Sequence, residues 1–188
     1  MNTSSKALDG GSIFGFIADL FHRHHVQGLL VGGYALVANK VQRTTFDIDF
    51  MMTAEDCAKL EAELLTAGYT VFSRVEAFIQ FKANQAGLRD LDFLLTDAHT
   101  LERLITEGLK VQIAGEQFIA PSPRHLIAMK LHSIGGNRKR EMKDLPDVVQ
   151  LMIANDIDPK TEDIRQLFER HNTMDLYQRV VDAVGNRQ

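Results

Sequence analysis

The sequence has one cysteine, four prolines and no long apolar run, and these scarcities exclude several classes of protein. Cys57 has no second cysteine with which to form an intrachain disulfide, so nothing indicates an oxidising compartment. The longest apolar stretches, such as LDFLL, fall far short of the roughly 20 residues that cross a bilayer. The N-terminus lacks a basic segment followed by an apolar run, so no secretory signal is predicted. We therefore expect a cytoplasmic protein without a membrane segment.

Positive charge is also scarce. The chain has 21 Lys and Arg against 25 Asp and Glu, a net charge of -4, whereas proteins that coat nucleic acids are normally basic. A local basic patch, as in GGNRKREMK, is still compatible with this balance. The 188 residues, 45% of them hydrophobic, are enough for a compact α/β domain with a helical appendage.

The apolar pattern predicts an α/β first half and a helical second half. Helices are expected from Ser12 as N-cap, in YALVANK, from Thr53 as N-cap, and over about 98–107. Strands are expected in GLLVGG, TFDIDFMM, YTVFSRV, AFIQFKA, LRDLDFLL, LKVQIAG and EQFIA, with a hairpin at NQAG. Pro121 begins a stretch in which every segment has helical periodicity. The predicted domains are an α/β core over 1–120 and a helical region over 121–188 packed on it.

Two acid pairs stand out within the predicted strands. Asp47 and Asp49 are two residues apart, and Asp90 and Asp92 repeat the spacing. Strand residues i and i+2 point to one face, so each pair of carboxylates would stand side by side and repel. If the two strands are neighbours, three carboxylates together with phosphate oxygens would suit Mg²⁺, with two ions possible. A solvated strand edge is the alternative, but the apolar neighbours disfavour it because buried unpaired carboxylates are costly.

A glycine pair, Gly32 and Gly33, precedes the short helix expected near Tyr34. Without a Cβ, the two residues let backbone N–H groups approach a phosphate closely, and the helix would direct its positive end the same way. A glycine pair alone is weak evidence for a phosphate-binding turn, because such turns are common. A glycine pair followed by a short helix and then RTTFDID is a far more specific pattern.

The stretch GGYALVANKVQRTTFDIDF resembles the signature of the nucleotidyltransferase superfamily, which includes DNA polymerase beta and the minimal nucleotidyltransferases. Its Gly-Gly-x-Ala opening and Arg-x-Thr-x-Asp-x-Asp ending are most similar to AbiEii-type toxins of toxin-antitoxin systems. The later segment HLIAMKLHSIGGNRKREMKDLPDVVQL strengthens that resemblance. The chain departs from many superfamily members by having Gly-Gly where they have Gly-Ser. The resemblance implies a nucleotidyltransferase-like mixed β-sheet flanked by helices, with a helical C-terminal region.

The resemblance also implies roles for individual residues. The implied metal ligands are Asp47, Asp49 and Asp92, with Asp92 as the candidate general base and Asp90 as its fallback. Lys130 would neutralise triphosphate charge during catalysis. The implied nucleotide-binding residues are Gly32, Gly33, Arg43, Thr45, Lys143 and Asp144, and Asp147 matches the later motif.

The implied reaction is Mg²⁺-dependent transfer of a nucleoside monophosphate from an NTP to an acceptor hydroxyl. The acceptor would be an RNA 3′ end, such as that of a tRNA, or a protein side chain, and a cognate antitoxin is an expected partner. One alternative is a module that has lost catalysis and senses nucleotides or binds a partner. A second is a metal-dependent phosphohydrolase, for which the glycine pair would have no special purpose.

Overall fold

The structure is a computed structural model that describes residues 12–85 and 87–186. Its chain divides into two compact units. The sheet unit comprises the described residues of Met1–Tyr34 and Thr44–Pro121, and the helical unit comprises those of Ala35–Arg43 and Ser122–Gln188. The N-terminal segment in which no secretory signal is predicted lies outside the described residues. No helix among the described residues is both long enough and apolar enough to span a membrane.

The sheet unit contains a seven-stranded mixed sheet with helices packed on it. Its strands are β1 (Leu29–Leu30), β2 (Ile48–Met52), β3 (Tyr69–Val75), β4 (Phe78–Ala83), β5 (Leu91–Leu95), β6 (Leu109–Ile113) and β7 (Glu116–Ala120). Its helices are α1 (Ile13–Arg23), α3 (Ala54–Thr66) and α4 (Ala98–Thr106), while α2 (Gly32–Ala38) carries the chain from the sheet unit into the helical unit. The predicted α/β fold class is confirmed.

Strand order places the two acid-bearing strands side by side. The order is β3-β4-β5-β2-β1-β7-β6, and β2 runs parallel to β5 with Asp49 opposite Asp92. The hairpin predicted at residues 84–87 is confirmed by the antiparallel pairing of β4 with β5, although Ala86 lies outside the described residues. A second hairpin joins β3 to β4 through Glu76 and Ala77, which carry no glycine or asparagine turn signal.

Alternation along β2 decides which face carries the acids. Ile48, Phe50 and Met52 are fully buried in the core of the sheet unit, and Asp49 lies on the other face. Fully burying one such apolar side chain contributes roughly 1.5–3 kcal/mol, so a one-residue slip of this strand would be strongly disfavoured. Strand β2 begins at Ile48, one residue after Asp47, the first acid of the pair. Its first hydrogen bond to β5 runs from the Ile48 N–H to the Asp90 carbonyl. Asp47 therefore lies in the bend before β2 and not within it.

The helical unit contains the end of α2 and everything after Pro121. Its later helices are α5 (Pro123–Gly136), a 3₁₀ turn (Arg138–Arg140), α6 (Glu141–Ala154), α7 (Glu162–Arg170) and α8 (Met174–Gly185). The sequence prediction that this region is helical is confirmed. The predicted N-caps also form in the sheet unit, where Ser12 and Thr53 accept hydrogen bonds from the backbone at the starts of α1 and α3.

Candidate active site

The glycine pair lies directly against the side chains that follow it in the sequence motif. Gly32 has a φ of +61°, and a Cβ on it would overlap the carboxylate of Asp49. A Cβ on Gly33 would lie 2.5 Å from the Thr45 Oγ1 atom. Glycine tolerates both the left-handed backbone conformation and this close approach. The backbone at Gly32 can therefore lie directly against the side chain of Asp49 on β2. Helix α2 begins at Gly32, two residues earlier than the sequence suggested.

Asp92 occupies an electrostatically unfavourable position beside the first acid pair. Burial raises the pKa of its carboxyl to about 6, and the negative charges of Asp49, Asp47 and Asp90 act in the same direction. A hydrogen bond of 2.9 Å from the Gln80 amide acts against the rise without cancelling it. The site therefore concentrates negative charge at the point where β2 and β5 are paired.

Asp90 has the same spacing but a different environment. Its carboxylate accepts a hydrogen bond of 3.0 Å from the Ala83 N–H and pairs at 3.0 Å with the ammonium of Lys82. The backbone hydrogen bond, followed by the Lys82 contacts, holds the pKa of Asp90 below its ordinary value. This acid is bound to β4, whereas Asp92 lies opposite Asp49.

A metal ion at this position would need ligands from outside the protein. Among residues 12–85 and 87–186, no group of three or more His, Cys, Asp or Glu side chains could by itself hold a metal ion. Mg²⁺ is usually bound through one or two carboxylates together with substrate phosphates, not by an all-protein cage. The concentrated negative charge around Asp49 and Asp92 fits that mode of binding, in which phosphate oxygens complete the coordination.

A short hydrogen-bonded chain holds the segment that carries Asp47. The hydroxyl of Thr45 donates to the main-chain oxygen of Asp47 at 3.1 Å, so the contact reaches the backbone and not the carboxylate. One guanidinium nitrogen of Arg89 donates to the Thr45 carbonyl at 3.3 Å and to the Tyr34 hydroxyl at 2.7 Å. Arg89 was not singled out in the sequence, because a lone arginine before a strand has no local signature.

The helical unit brings together a second set of charged residues, here called the charged network. The ammonium of Lys130 donates to Asp144 at 2.7 Å and to Asp147 at 2.8 Å. Arg140 also binds Asp144, at 2.7 Å, and Arg43 binds Asp147 at 3.0 Å. Both carboxylates are buried, and only 13% of the Lys130 side chain is exposed. Three cations thus alternate with two acids along one connected set.

Hydrogen bonding favours the ionised form of Asp144 despite its burial. Burial opposes ionisation of Asp144, but the hydrogen bonds from Arg140 and Lys130 outweigh it and hold the carboxyl pKa below its ordinary value. The cations that contact Asp144 in this structure are those of Lys130 and Arg140. Lys143 is exposed on α6. Direct nucleotide contacts by Lys130, Arg43, Lys143 and Asp144 stay predictions.

The sequence-predicted residues thus fall into two groups. The sheet unit contains Gly32, Gly33, Thr45, Asp47, Asp49 and Asp92, and the helical unit contains Arg43, Lys130, Lys143 and Asp144.

Solved structures with a similar fold include nucleotidyltransferases and a nucleotidyltransferase-like protein. ANT(2″)-Ia in complex with adenylyl-2″-tobramycin has a TM-score of 0.61 at 15% identity, over 84% of this chain and 93% of that one. The chain has the nucleotidyltransferase fold. An antigenic nucleotidyltransferase-like protein from Paracoccidioides brasiliensis gives 0.57 at 13% identity, over 91% of both chains. The lincosamide antibiotic adenylyltransferase LnuA, lincomycin-bound, gives 0.52 at 17% identity, over 73% of this chain and 92% of that one.

Sequence comparison adds no closer relative. No protein-family model matches the sequence, and no curated protein matches it. Identities of 13–17% support the shared fold and nothing finer. The resemblance to AbiEii-type toxins therefore stays a prediction.

Proposed function

We propose that the protein transfers a nucleoside monophosphate from an NTP to an acceptor hydroxyl. The observation that carries the proposal is the contact of Gly32 with Asp49, opposite Asp92, within a nucleotidyltransferase fold. In the reaction, the acceptor oxygen forms a bond to the α-phosphorus while the bond between that phosphorus and the bridging oxygen breaks. Pyrophosphate leaves, and the hydroxyl proton passes to a carboxylate.

Asp92 is the proposed general base. Its carboxyl lies opposite Asp49 on the neighbouring strand, and burial raises its pKa above that of an ordinary aspartate. Asp90 suits this role less well, since Lys82 and the Ala83 N–H already engage its carboxylate. Asp92 is therefore also the preferred third metal-binding carboxylate.

Asp47, Asp49 and Asp92 would hold Mg²⁺ together with the substrate phosphates. When bound, Mg²⁺ would neutralise phosphate charge and favour departure of pyrophosphate. The residues of the chain position the reactants. The Gly32–Gly33 turn lets backbone N–H groups approach the triphosphate, and the hydrogen bond of Thr45 fixes the backbone at Asp47.

Following the resemblance, we propose that Lys130, a member of the charged network, neutralises triphosphate charge. Its three cations exceed its two carboxylates, and the two acids hold the Lys130 ammonium in place. A lysine fixed in this way would meet a phosphate without first losing side-chain freedom. Arg43 and Lys143 are the further proposed phosphate contacts.

Three acceptor classes follow from the comparisons and the resemblance. ANT(2″)-Ia is seen with adenylyl-2″-tobramycin and LnuA with lincomycin, so a small hydroxylated molecule is one class. The resemblance to AbiEii-type toxins adds an RNA 3′ end, such as that of a tRNA, and a protein side chain. A toxin role with a cognate antitoxin belongs to the same proposal, and would appear as growth arrest that requires Asp49.

The test is transfer of label from each of the four α-labelled NTPs, with Mg²⁺, into RNA, protein and small molecules of a cell extract. Asp49→Asn retains the shape of the side chain but removes its charge. Asp19→Asn, at an exposed acid on α1, is the matched control. We expect label from wild type and from the control, and none from Asp49→Asn.

The alternative is an inactive module that senses nucleotides or binds a partner. It predicts NTP binding by wild type with neither label transfer nor pyrophosphate release. A phosphohydrolase would instead release inorganic phosphate without labelling any pool. Either pattern would contradict the proposed transfer.

A further inference from the structure

An exposed phenylalanine lies in the segment that links Arg43 to Asp47 and has no role in the proposed chemistry. Phe46 stands between Thr45 and Asp47, and 76% of it is exposed. Most other phenylalanines of the chain are buried, among them Phe50 and Phe93 in the strands that carry the acids. An exposed aromatic ring in the residue before a proposed metal ligand can offer its flat face to a ligand.

The backbone on both sides of Phe46 is held by hydrogen bonds. Arg89 donates to the carbonyl of Thr45, and the Thr45 hydroxyl donates to the carbonyl of Asp47. The ring therefore projects from an anchored segment and not from a free loop. An anchored aromatic side chain contributes contact area at a small entropic cost, because it has only two side-chain torsions.

The chemistry of the proposed reaction indicates what this ring would bind. Resting on that proposed function, we propose that the ring of Phe46 is a stacking platform for a nucleobase, either that of the NTP or that of the terminal nucleotide of an RNA acceptor. Aromatic side chains bind bases through their flat faces, and this contact tolerates any base. Phe46 is the residue immediately before Asp47, a proposed metal ligand.

A second exposed phenylalanine provides a matched control. Phe72 is 66% exposed on the edge strand β3, where the Lys82 ammonium lies 5.4 Å from the centre of its ring. It adjoins none of the proposed site residues in the sequence. Substitution at either position removes or replaces an exposed ring, so neither change should prevent folding.

The absence of tryptophan from the chain makes the test direct. Phe46→Trp and Phe72→Trp each introduce a single indole, whose fluorescence reports stacking. The ligands are each NTP, inorganic tripolyphosphate and a short single-stranded ribonucleotide, with Mg²⁺ present. We expect an NTP or the ribonucleotide, but not tripolyphosphate, to quench the indole of Phe46→Trp, and none of them to quench that of Phe72→Trp.

Calorimetry on Phe46→Ala supplies an independent reading. Loss of one stacking contact should weaken binding of the responsible ligand by about 5- to 150-fold and leave tripolyphosphate binding unchanged. Weaker NTP binding assigns the platform to the substrate base, and weaker ribonucleotide binding alone assigns it to the acceptor.

Two results would overturn the proposal, and they are distinguishable. If wild type binds NTP but neither Phe46 variant differs from its Phe72 counterpart, the platform is refuted while the proposed function survives. If wild type binds neither NTP nor tripolyphosphate, the proposed function fails and the platform fails with it.

Discussion

Replacing Asp92 with asparagine should make the protein more stable at neutral pH while abolishing nucleotidyl transfer. The carboxyl ordinarily has a pKa of 3.8, and burial with neighbouring acids raises it to about 6. Between these values the unfolded chain gives up the proton while the folded protein keeps it. The free energy of unfolding therefore falls as the pH rises through this window.

The magnitude follows from the width of the window. Each pH unit corresponds to about 1.4 kcal/mol, so ionising Asp92 costs the folded state at most about 3 kcal/mol. Its carboxyl is only partly buried, and solvent screening reduces this to about 1–2 kcal/mol. Asp92→Asn removes the charge and keeps an oxygen that accepts the Gln80 hydrogen bond. We expect the melting temperature at pH 7.5 to rise by about 2–8 °C.

Asp90→Asn is the matched control, with the opposite expected sign. The pKa of Asp90 is held low by the Ala83 N–H and by Lys82, so its charge stabilises the fold above pH 3.8 and the effect is lost as the pH falls through the lowered pKa. Loss of the Lys82 pair should reduce the free energy of unfolding by up to about 1 kcal/mol.

The assay is urea and thermal unfolding of wild type and both variants at pH 7.5 and pH 4. The gain from Asp92→Asn should be present at pH 7.5 and small at pH 4, where the carboxyl of the wild type is protonated when folded. A loss of stability at pH 7.5, or a gain of equal size at both pH values, would refute the electrostatic reasoning.

Three further predictions test the other parts of the site. Gly32→Ala should lower the melting temperature and abolish transfer, because its Cβ would overlap Asp49, whereas Gly136→Ala, with open space around its Cβ, should do neither. Lys130→Met should reduce the free energy of unfolding in urea by about 3–5 kcal/mol, because it deprives two buried carboxylates of a shared cation. A loss below about 1 kcal/mol would show that Arg140 and Arg43 are enough to neutralise the two carboxylates without Lys130. Arg89→Gln should slow transfer by about tenfold or more with unfolding unchanged, since it releases the Thr45 carbonyl; normal kinetics would contradict its positioning role.

Local signals predicted the elements well where caps and periodicity agree. Ser12 and Thr53 do begin α1 and α3, and the turn at residues 84–87 does join β4 to β5. These features depend on residues that are close in the sequence, which is why a short window identifies them. The predicted start of α2 near Tyr34 was two residues too late, because a glycine pair is typical of a turn and here belongs to the helix.

The charged network shows what local reading cannot supply. The segment that carries Lys130 and Asp144 resembles the corresponding segment of AbiEii-type toxins. Its sequence does not predict that Lys130 donates to Asp144 and Asp147. Arg43 joins the set across 104 positions of sequence. Such partners depend on how α5 and α6 pack, so they follow from tertiary contacts and not from spacing.

The sequence by itself determined the two acid pairs and the apolar residues that alternate with Asp49 and Asp92 along β2 and β5. It could not distinguish Asp90 from Asp92, because a period of two places both on one face. The tertiary structure separates them. Pairing with β4 gives Asp90 the Ala83 N–H and Lys82, while pairing with β2 places Asp92 opposite Asp49 and raises its pKa. Two acids with the same local pattern thus acquire opposite electrostatic environments, because charge interactions depend on distance in space.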